Sequence, residues 1–384
     1  MNPKRSIFEE VAGTGQPNAA GRGGLIDRGA GRGRQAVRGW LFALFALVVL
    51  MIAVGGATRL TDSGLSITEW RPVTGAMPPL TAADWTAEFE KYRAIPQYQL
   101  VNKGMSLEAF KVIYWWEWGH RQLGRLIGLV WGLGFVVLWA SGRIPPGWTG
   151  RLLVLGALGG LQGAIGWWMV SSGLTGQMVS VASYRLATHL GLAFVILGLI
   201  AWHIFMLGRS EVDLLHARRA RERRLFGLGT ALAHLAFLQI LLGALVAGID
   251  AGRAFPTWPD MNGQFFPANA FHVPDGPAWR AFFENEGLVQ FMHRMAGYAL
   301  AGLAVLAWWR ARSSAHRSTR RAFDAMLGMT ALQVVLGIVT VLSLAQVHVA
   351  LAHQLGAVVL WVLILRARHL AGYPQAGSIS KGTA

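Results

Sequence analysis

The chain has 384 residues, of which 53% are hydrophobic and only 14% charged, and its mean hydropathy is positive at +0.40. That is too apolar for a soluble globule of this length and points to a protein that crosses a membrane several times. The net charge of +16 would suit nucleic acid, but its distribution argues otherwise, and the absence of cysteine excludes disulfides and C-x-x-C-H haem attachment.

In chain order, residues 1–38 are rich in Gly and Arg and carry no apolar segment of their own, so a disordered cytoplasmic tail is expected rather than a cleaved signal peptide. An Arg-rich organellar presequence stays open. Eight apolar runs follow, at 40–57, 123–140, 152–171, 186–207, 225–249, 288–309, 323–344 and 349–365. Each suits a helix crossing a hydrocarbon core that needs about 20 residues. Of the 35 Lys and Arg, 23 fall in the tail, the loops 208–224 and 310–321, and flanking positions on the same side. The positive-inside rule then places both termini in the cytoplasm and the long loops 59–117 and 250–287 outside. The basic charge is topology, which leaves no role for nucleic acid. The expected location is a bacterial inner membrane in preference to a mitochondrial one, with the lipid bilayer as the surrounding partner.

The sequence repeats itself. Residues 55–79 align without a gap on 243–267 at an offset of 188, pairing Asp62 with Asp250, Gly64 with Gly252, Trp70 with Trp258, Gly75 with Gly263 and Pro79 with Pro267. "HRQLGRLIG" at 120 pairs with "HRMAGYALAG" at 293, "LQGAIG" at 161 with "LQVVLG" at 332, and "ATHLG" at 187 with "LAHQLG" at 351. Four helices per half is an even number, so both halves share one orientation. The expected fold is an all-α integral membrane protein with eight transmembrane helices in two pseudo-symmetric four-helix bundles. The division is a cytoplasmic tail 1–38, an N-terminal bundle 39–208, a linker 209–224, a C-terminal bundle 225–368 and a tail 369–384. The L-Q-x-x-[IL]-G pattern occurs a third time at 238 and reads as helix-packing glue.

Of eleven histidines, His120, His189, His293 and His353 are expected to begin helices two, four, six and eight at the outer membrane edge. His216, His272, His316 and His369 fall in loops or tails, where a solvated role is the default. Two neutral imidazoles from facing helices are what a six-coordinate haem iron requires, whereas zinc would need further ligands that no carboxylate or thiol set supplies. His348 reads as supporting or structural, and Met178 and Met292 as packing. Arg59, Arg121, Arg125 and Arg294 stand at the same level, where guanidinium suits haem propionates and where snorkelling to headgroups is the plainer alternative.

At an offset of 173, Glu117 corresponds to Gln290, so this acid exists in only the first half. Glu117 and His120 share a helix face one turn apart, so the carboxylate would lie beside a haem held by His120 and could accept a proton or stabilise developing positive charge. The first outer loop is also 15 residues longer and contains a T-x-x-D capping box at Thr81 and Asp84, opening a short helix read as a lid.

These residues resemble the haem A synthase family over about 38–370, most specifically in "GGATRLTDSGLSITEW", "EWGHRQLGR", "ATHLG", "FMHR" and "LAHQLG". The resemblance implies oxidation of the C8 methyl of haem O to the formyl group of haem A. It implies a resident haem b on His293 and His353, the substrate haem flanked by His120 and His189, and Glu117 as the essential acid. A haem O synthase and cytochrome oxidase assembly factors are the implied partners, with homo-oligomerisation open. Many members carry a cysteine pair in the first outer loop, and this chain departs from them there. The alternative is a bis-histidine membrane cytochrome b exchanging electrons with quinol, which gives no reason for the Glu117 to Gln290 difference. A transporter would place its polar residues near the midplane rather than at one edge.

Overall fold

The computed structural model describes residues 25–274 and 276–375. Among them the chain is helical throughout, without a strand. The elements in order are α1 (Leu25–Leu60), α2 (Ala82–Arg93), α3 (Pro96–Leu100), α4 (Leu107–Ala140), α5 (Thr149–Ser171), α6 (Ser183–Leu207) and α7 (Glu211–Arg219). They continue as α8 (Arg223–Gly248), α9 (Ala251–Ala254), α10 (Ala281–Glu284), α11 (Glu286–Ala311), α12 (Arg317–Leu342) and α13 (Val347–Gly372). Seven helices, namely α1, α4, α5, α6, α8, α12 and α13, are long and apolar enough to cross a membrane. α11 matches them at 26 residues but carries His293, Arg294 and Arg310 among its apolar side chains and falls outside that set.

α1 packs on α4 and α6, and α5 closes the group against α4 and α6. In the same way α8 packs on α11 and α13, with α12 against both. The two groups meet where α6 touches α8 and α13 and where α1 touches α13. Among the polar bonds that cross that seam, Gln354 Nε2 donates to the Ile52 carbonyl at 2.7 Å, and Trp361 Nε1 to the Phe194 carbonyl at 3.1 Å. Gly56 and Gly198 make room for these side chains, since a Cβ on Gly198 would lie 2.8 Å from Trp361 Nε1 and one on Gly56 would collide with Gln354. Small residues at a close helix crossing, joined by a side-chain hydrogen bond, are how helices associate where lipid removes the hydrophobic drive. The remaining core is aliphatic and aromatic, with Leu41, Leu197, Leu232, Phe323 and Ile364 fully buried.

The outward faces are also apolar. Leu129, Leu133, Val136 and Val137 on α4, and Val335, Val339 and Leu342 on α12, are exposed. Patches of this extent in water would drive aggregation. In a bilayer they are solvated by lipid, so the chain is a multi-pass membrane protein.

Several boundaries differ from the sequence expectation. Residues 25–38, assigned to the tail, are the first turns of α1. Arg34 Nη2 donates to the Met206 carbonyl at 2.8 Å, Arg38 Nε donates to the Ile204 carbonyl at 3.2 Å, and Val37 is fully buried, so the end of the basic segment caps α6. The rest of the tail, 1–24, lies outside the described residues, as does 376–384. His369, expected in a solvated tail, is 4% exposed and sits edge-on to Trp202 with ring centroids 5.2 Å apart, because α13 continues to Gly372. The four histidines do not begin their helices. His189, His293 and His353 lie about two turns in, and His120 nearly four, because Ser106 caps α4 well before the apolar run starts, accepting from Ala109 N at 3.2 Å.

The longer outer loop has the expected capping box: Thr81 Oγ1 accepts from Asp84 N at 3.1 Å and Asp84 Oδ2 from Thr81 N at 3.0 Å. α2 is fastened to α4 through Tyr92 on Phe110 and Trp85 on Tyr114. The Thr81 backbone N–H holds the Asp84 carboxyl below the ordinary carboxylate range. Its contribution is therefore present above that range and lost as pH falls through the lowered value. Thr81→Ala is expected to cost about 1 kcal/mol of local stability, read as faster amide exchange across 82–93 with no change in the membrane helices.

Candidate functional site

The repeat reappears as matched side-chain contacts. In α4, Arg121 donates through Nε and Nη2 to Glu117 Oε1 at 3.1 and 2.6 Å, and to the Ile67 and Glu69 carbonyls at 2.7 and 3.0 Å. In α11, Arg294 donates to Gln290 Oε1 at 2.8 Å, and to the Phe255 and Thr257 carbonyls, both at 2.9 Å. Ile67 and Glu69 are related to Phe255 and Thr257 by the same offset of 188. Each half therefore uses an arginine four residues after Glu or Gln to pin the chain leaving its first helix.

What differs is the second face of that hub. Glu117 is 2% exposed, and its Oε2 accepts from Ser66 Oγ at 2.7 Å and from the Ile67 N–H at 2.8 Å. Gln290 is 1% exposed, and its Nε2 donates to the Ala251 carbonyl at 2.7 Å. Donors surround the carboxylate and an acceptor meets the amide, so the surroundings are written to match each residue. Both oxygens of Glu117 are consequently held by hydrogen bonds.

Each of the four half-buried histidines lies against a glycine of the neighbouring helix. A Cβ on Gly55 of α1 would lie 3.1 Å from His120 Nε2, and one on Gly243 of α8 would lie 3.1 Å from His293 Cε1. On Gly166 of α5 it would lie 2.9 Å from His189 Cε1, and on Gly337 of α12 it would lie 3.3 Å from His353 Cε1. Gly55 and Gly243 are again 188 apart, and Gly166 and Gly337 close the two L-Q-x-x-x-G copies. The pattern that reads as packing glue thus has a second use, since its glycine clears space for an imidazole. Its glutamine, one turn earlier, reaches the same ring in two cases: Gln162 Nε2 lies 3.2 Å from His189 Nδ1 and Gln239 Nε2 lies 3.3 Å from His293 Nε2. Position 51, where the offset of 188 would put the first half's glutamine, holds Met51. The signal was present as a motif recurring three times, but its partner histidines lie on other helices and only the fold pairs them.

The donor set fits a haem. Nδ1 of His293 and of His353 is buried without a hydrogen-bond partner, and the glycines leave room that any side chain would fill. Among the described residues no group of three or more His, Cys, Asp and Glu gathers as a zinc site would require. Two axial nitrogens suffice for haem iron.

The arginines are placed less simply. Arg59 joins the halves, meeting Asp62 and Asp250 each at 2.9 Å, and both aspartates adopt left-handed backbone, φ 51° and 55°. Arg121 and Arg294 are committed to the hubs. Arg125 binds the Pro72 and Arg71 carbonyls at 2.8 and 2.9 Å while its Nη1 is buried without a partner. Met178 is 40% exposed, and Met292 packs against Leu288 and Val289.

Comparison with known proteins agrees with these features. A family profile described as "Cytochrome oxidase assembly protein" (COX15-CtaA) matches residues 38–365. A protein named "Heme A synthase" from Cereibacter sphaeroides is 64% identical over 387 residues, covering 99% of both chains. The protein of the same name from Ruegeria pomeroyi is 63% identical over 381 residues, covering 99% of this chain and 100% of its own. That from Paracoccus denitrificans is 62% identical over 380 residues and 99% of both. With a profile matching residues 38–365 and full-length relatives at this identity, the chain belongs to the COX15-CtaA family.

Proposed function

We propose that the chain is a membrane oxidoreductase that oxidises the C8 methyl of haem O to the formyl group of haem A. The observation that carries the reading is the matched set of four histidines, each against a cleared glycine, combined with a carboxylate in one half only. The names of its full-length relatives point to the same product.

In this reading all eight long helices cross the membrane, α11 included, as two bundles in parallel with both termini cytoplasmic. The N-terminal bundle, 39–208 with the preceding turns of α1, takes the substrate, and the C-terminal bundle, 225–368, keeps the cofactor. His293 and His353 hold a resident haem b, which supplies one-electron transfer when bound. His120 and His189 hold the substrate haem. Gln162 and Gln239 lie beside two of the rings, and because an iron-bound imidazole has only its second ring N–H left to donate, each glutamine would support its ring through the side-chain oxygen, which is buried without another partner. Four donors fix the Glu117 side chain, and one turn from His120 it stabilises positive charge developing beside the ring. Among the arginines, Arg125 retains a free donor for a propionate, whereas Arg59, Arg121 and Arg294 fix the outer loops. Haem O synthase as supplier and cytochrome oxidase assembly factors as recipients complete the reading.

The bis-histidine cytochrome reading draws on the same four cradles. The two are separated by expressing the chain with a source of haem O and extracting the pigments. Haem A is expected to accumulate. Low-spin haem with haem O left unconverted would favour the cytochrome.

A further inference from the structure

Between α1 and α4 an apolar groove of about 640 Å³ opens toward the lipid. Leu50 and Val54 form one wall, Trp115, Trp116 and Leu123 the other, and Gly119 the floor. A Cβ on Gly119 would meet nothing within 4 Å, so the space there is real. The floor adjoins the site already described: Gly119 precedes His120, and Val54 precedes Gly55, against which the His120 ring rests. Trp115 is braced at the outer end by Trp85 of α2, with centroids 5.6 Å apart.

In the other half the related positions of the second helix are filled differently. At the offset of 173, Trp115, Trp116 and Gly119 become Leu288, Val289 and Met292. Leu288 is 3% exposed and Val289 fully buried, and Leu288 and Met292 pack with Ala270, Val273 and Ala281. The outer loop covers what the first half leaves open, and a methionine fills what Gly119 leaves empty.

We infer that this groove holds the isoprenoid tail of the substrate haem, an inference that rests on the function proposed above. Haem O differs from haem b by a farnesyl-bearing side chain, which is apolar, long and unable to fold back into a packed bundle. The half assigned to haem b needs no place for such a chain, and its Leu288 and Val289 are buried where Trp115 and Trp116 line the groove. The half assigned to haem O has a groove whose volume lies within the range of about 300–1,000 Å³ usual for ligand sites. Haem O is then held with its ring between His120 and His189 and its tail leaving between α1 and α4. Entry from the bilayer needs no passage through water. The tail also discriminates haem O from haem b, since apolar contact area is gained only by the tailed substrate.

The test uses the full chain, purified in lipid nanodiscs with its resident haem and titrated separately with haem O and with haem b, with Soret difference spectra as readout. Gly119→Met, which copies the residue of the other half, and Leu50→Trp, which fills the groove from α1 away from His120, are compared with the unaltered protein. Both variants are expected to weaken haem O binding at least about tenfold while leaving haem b binding to the first half and the resident haem spectrum unchanged. Unchanged haem O affinity in both variants overturns the inference and leaves the groove to a lipid acyl chain. Equal weakening of haem O and haem b also overturns it, because the substitutions then act on the His120 site and not on a tail. If the unaltered protein binds neither haem in its first half, the proposed function fails first and the groove inference falls with it.

Discussion

Gly243→Leu is expected to remove the resident low-spin haem spectrum although both of its proposed ligands, His293 and His353, remain. The reason is steric. A Cβ at this position would already lie 3.1 Å from His293 Cε1, and the leucine atoms beyond it must enter the volume of the imidazole. Overpacking a tight site costs about 1–3 kcal/mol, but axial ligation requires ring placement within a few tenths of an ångström, so ligand geometry fails before the fold does. Gly227→Ala is the control on the same helix: nothing lies within 4 Å of its Cβ, and alanine is the better helix former by up to about 1 kcal/mol, so haem content and stability should hold or rise. Gly337→Leu should reproduce the loss through His353. Gly55→Leu and Gly166→Leu should spare the resident spectrum, because their imidazoles belong to the other half. A resident spectrum intact in both Gly243→Leu and Gly337→Leu, with stoichiometric haem, would show that these rings are not the ligands.

The glycine cradles mark the limit of what a single chain of letters conveys. The repeat was legible because it is linear: Asp62 and Asp250, or His120 and His293, recur in order, and the structure adds the common left-handed turn and the common arginine hub. The charge asymmetry was legible for the same reason. What stayed hidden were pairings between helices. Nothing in "LQILLG" names His293 as the ring beside Gly243, since the two are 50 residues apart and meet only when α8 packs on α11. The arginines illustrate a second limit. A cation at a membrane edge invites an external anion, yet Arg121 and Arg294 are consumed by backbone carbonyls of the loops that follow the first helix of each half. Loop carbonyls have no signature in sequence, because every residue carries one. Helix starts were displaced for a related reason: the Ser106 cap and the first turns of α4, interrupted by Glu108, Lys111 and Glu117, extend beyond the apolar run that hydropathy detects.

Glu117→Gln tests whether the one unshared carboxylate carries chemistry or only holds a loop, and the second half shows how an amide behaves in such a hub. Gln290 turns its oxygen to Arg294 and its nitrogen to the Ala251 carbonyl. A glutamine at 117 can likewise keep its oxygen toward Arg121, and Ser66 can rotate its hydroxyl to accept from the new amide. The Ile67 N–H cannot adapt and loses the acceptor it now finds at 2.8 Å. One buried unsatisfied donor costs about 1–3 kcal/mol, so the variant should fold, bind its resident haem and melt a few degrees lower. A purely structural Glu117 predicts haem A formation reduced only in proportion to that lost stability. A carboxylate that stabilises the reacting centre predicts far more, a fall of about 10²–10³-fold at temperatures where the variant is fully folded, with haem O still bound. Ser66→Ala separates the two, because it removes one bond to Oε2 but leaves the charge and Ile67 in place, and should retain most activity. The reciprocal Gln290→Glu sets a carboxylate against the Ala251 carbonyl and should destabilise the second half more than Glu117→Gln destabilises the first, without adding activity. If Glu117→Gln makes haem A within about threefold of the unaltered protein, the donors around Glu117 are the whole explanation of why this half carries an acid.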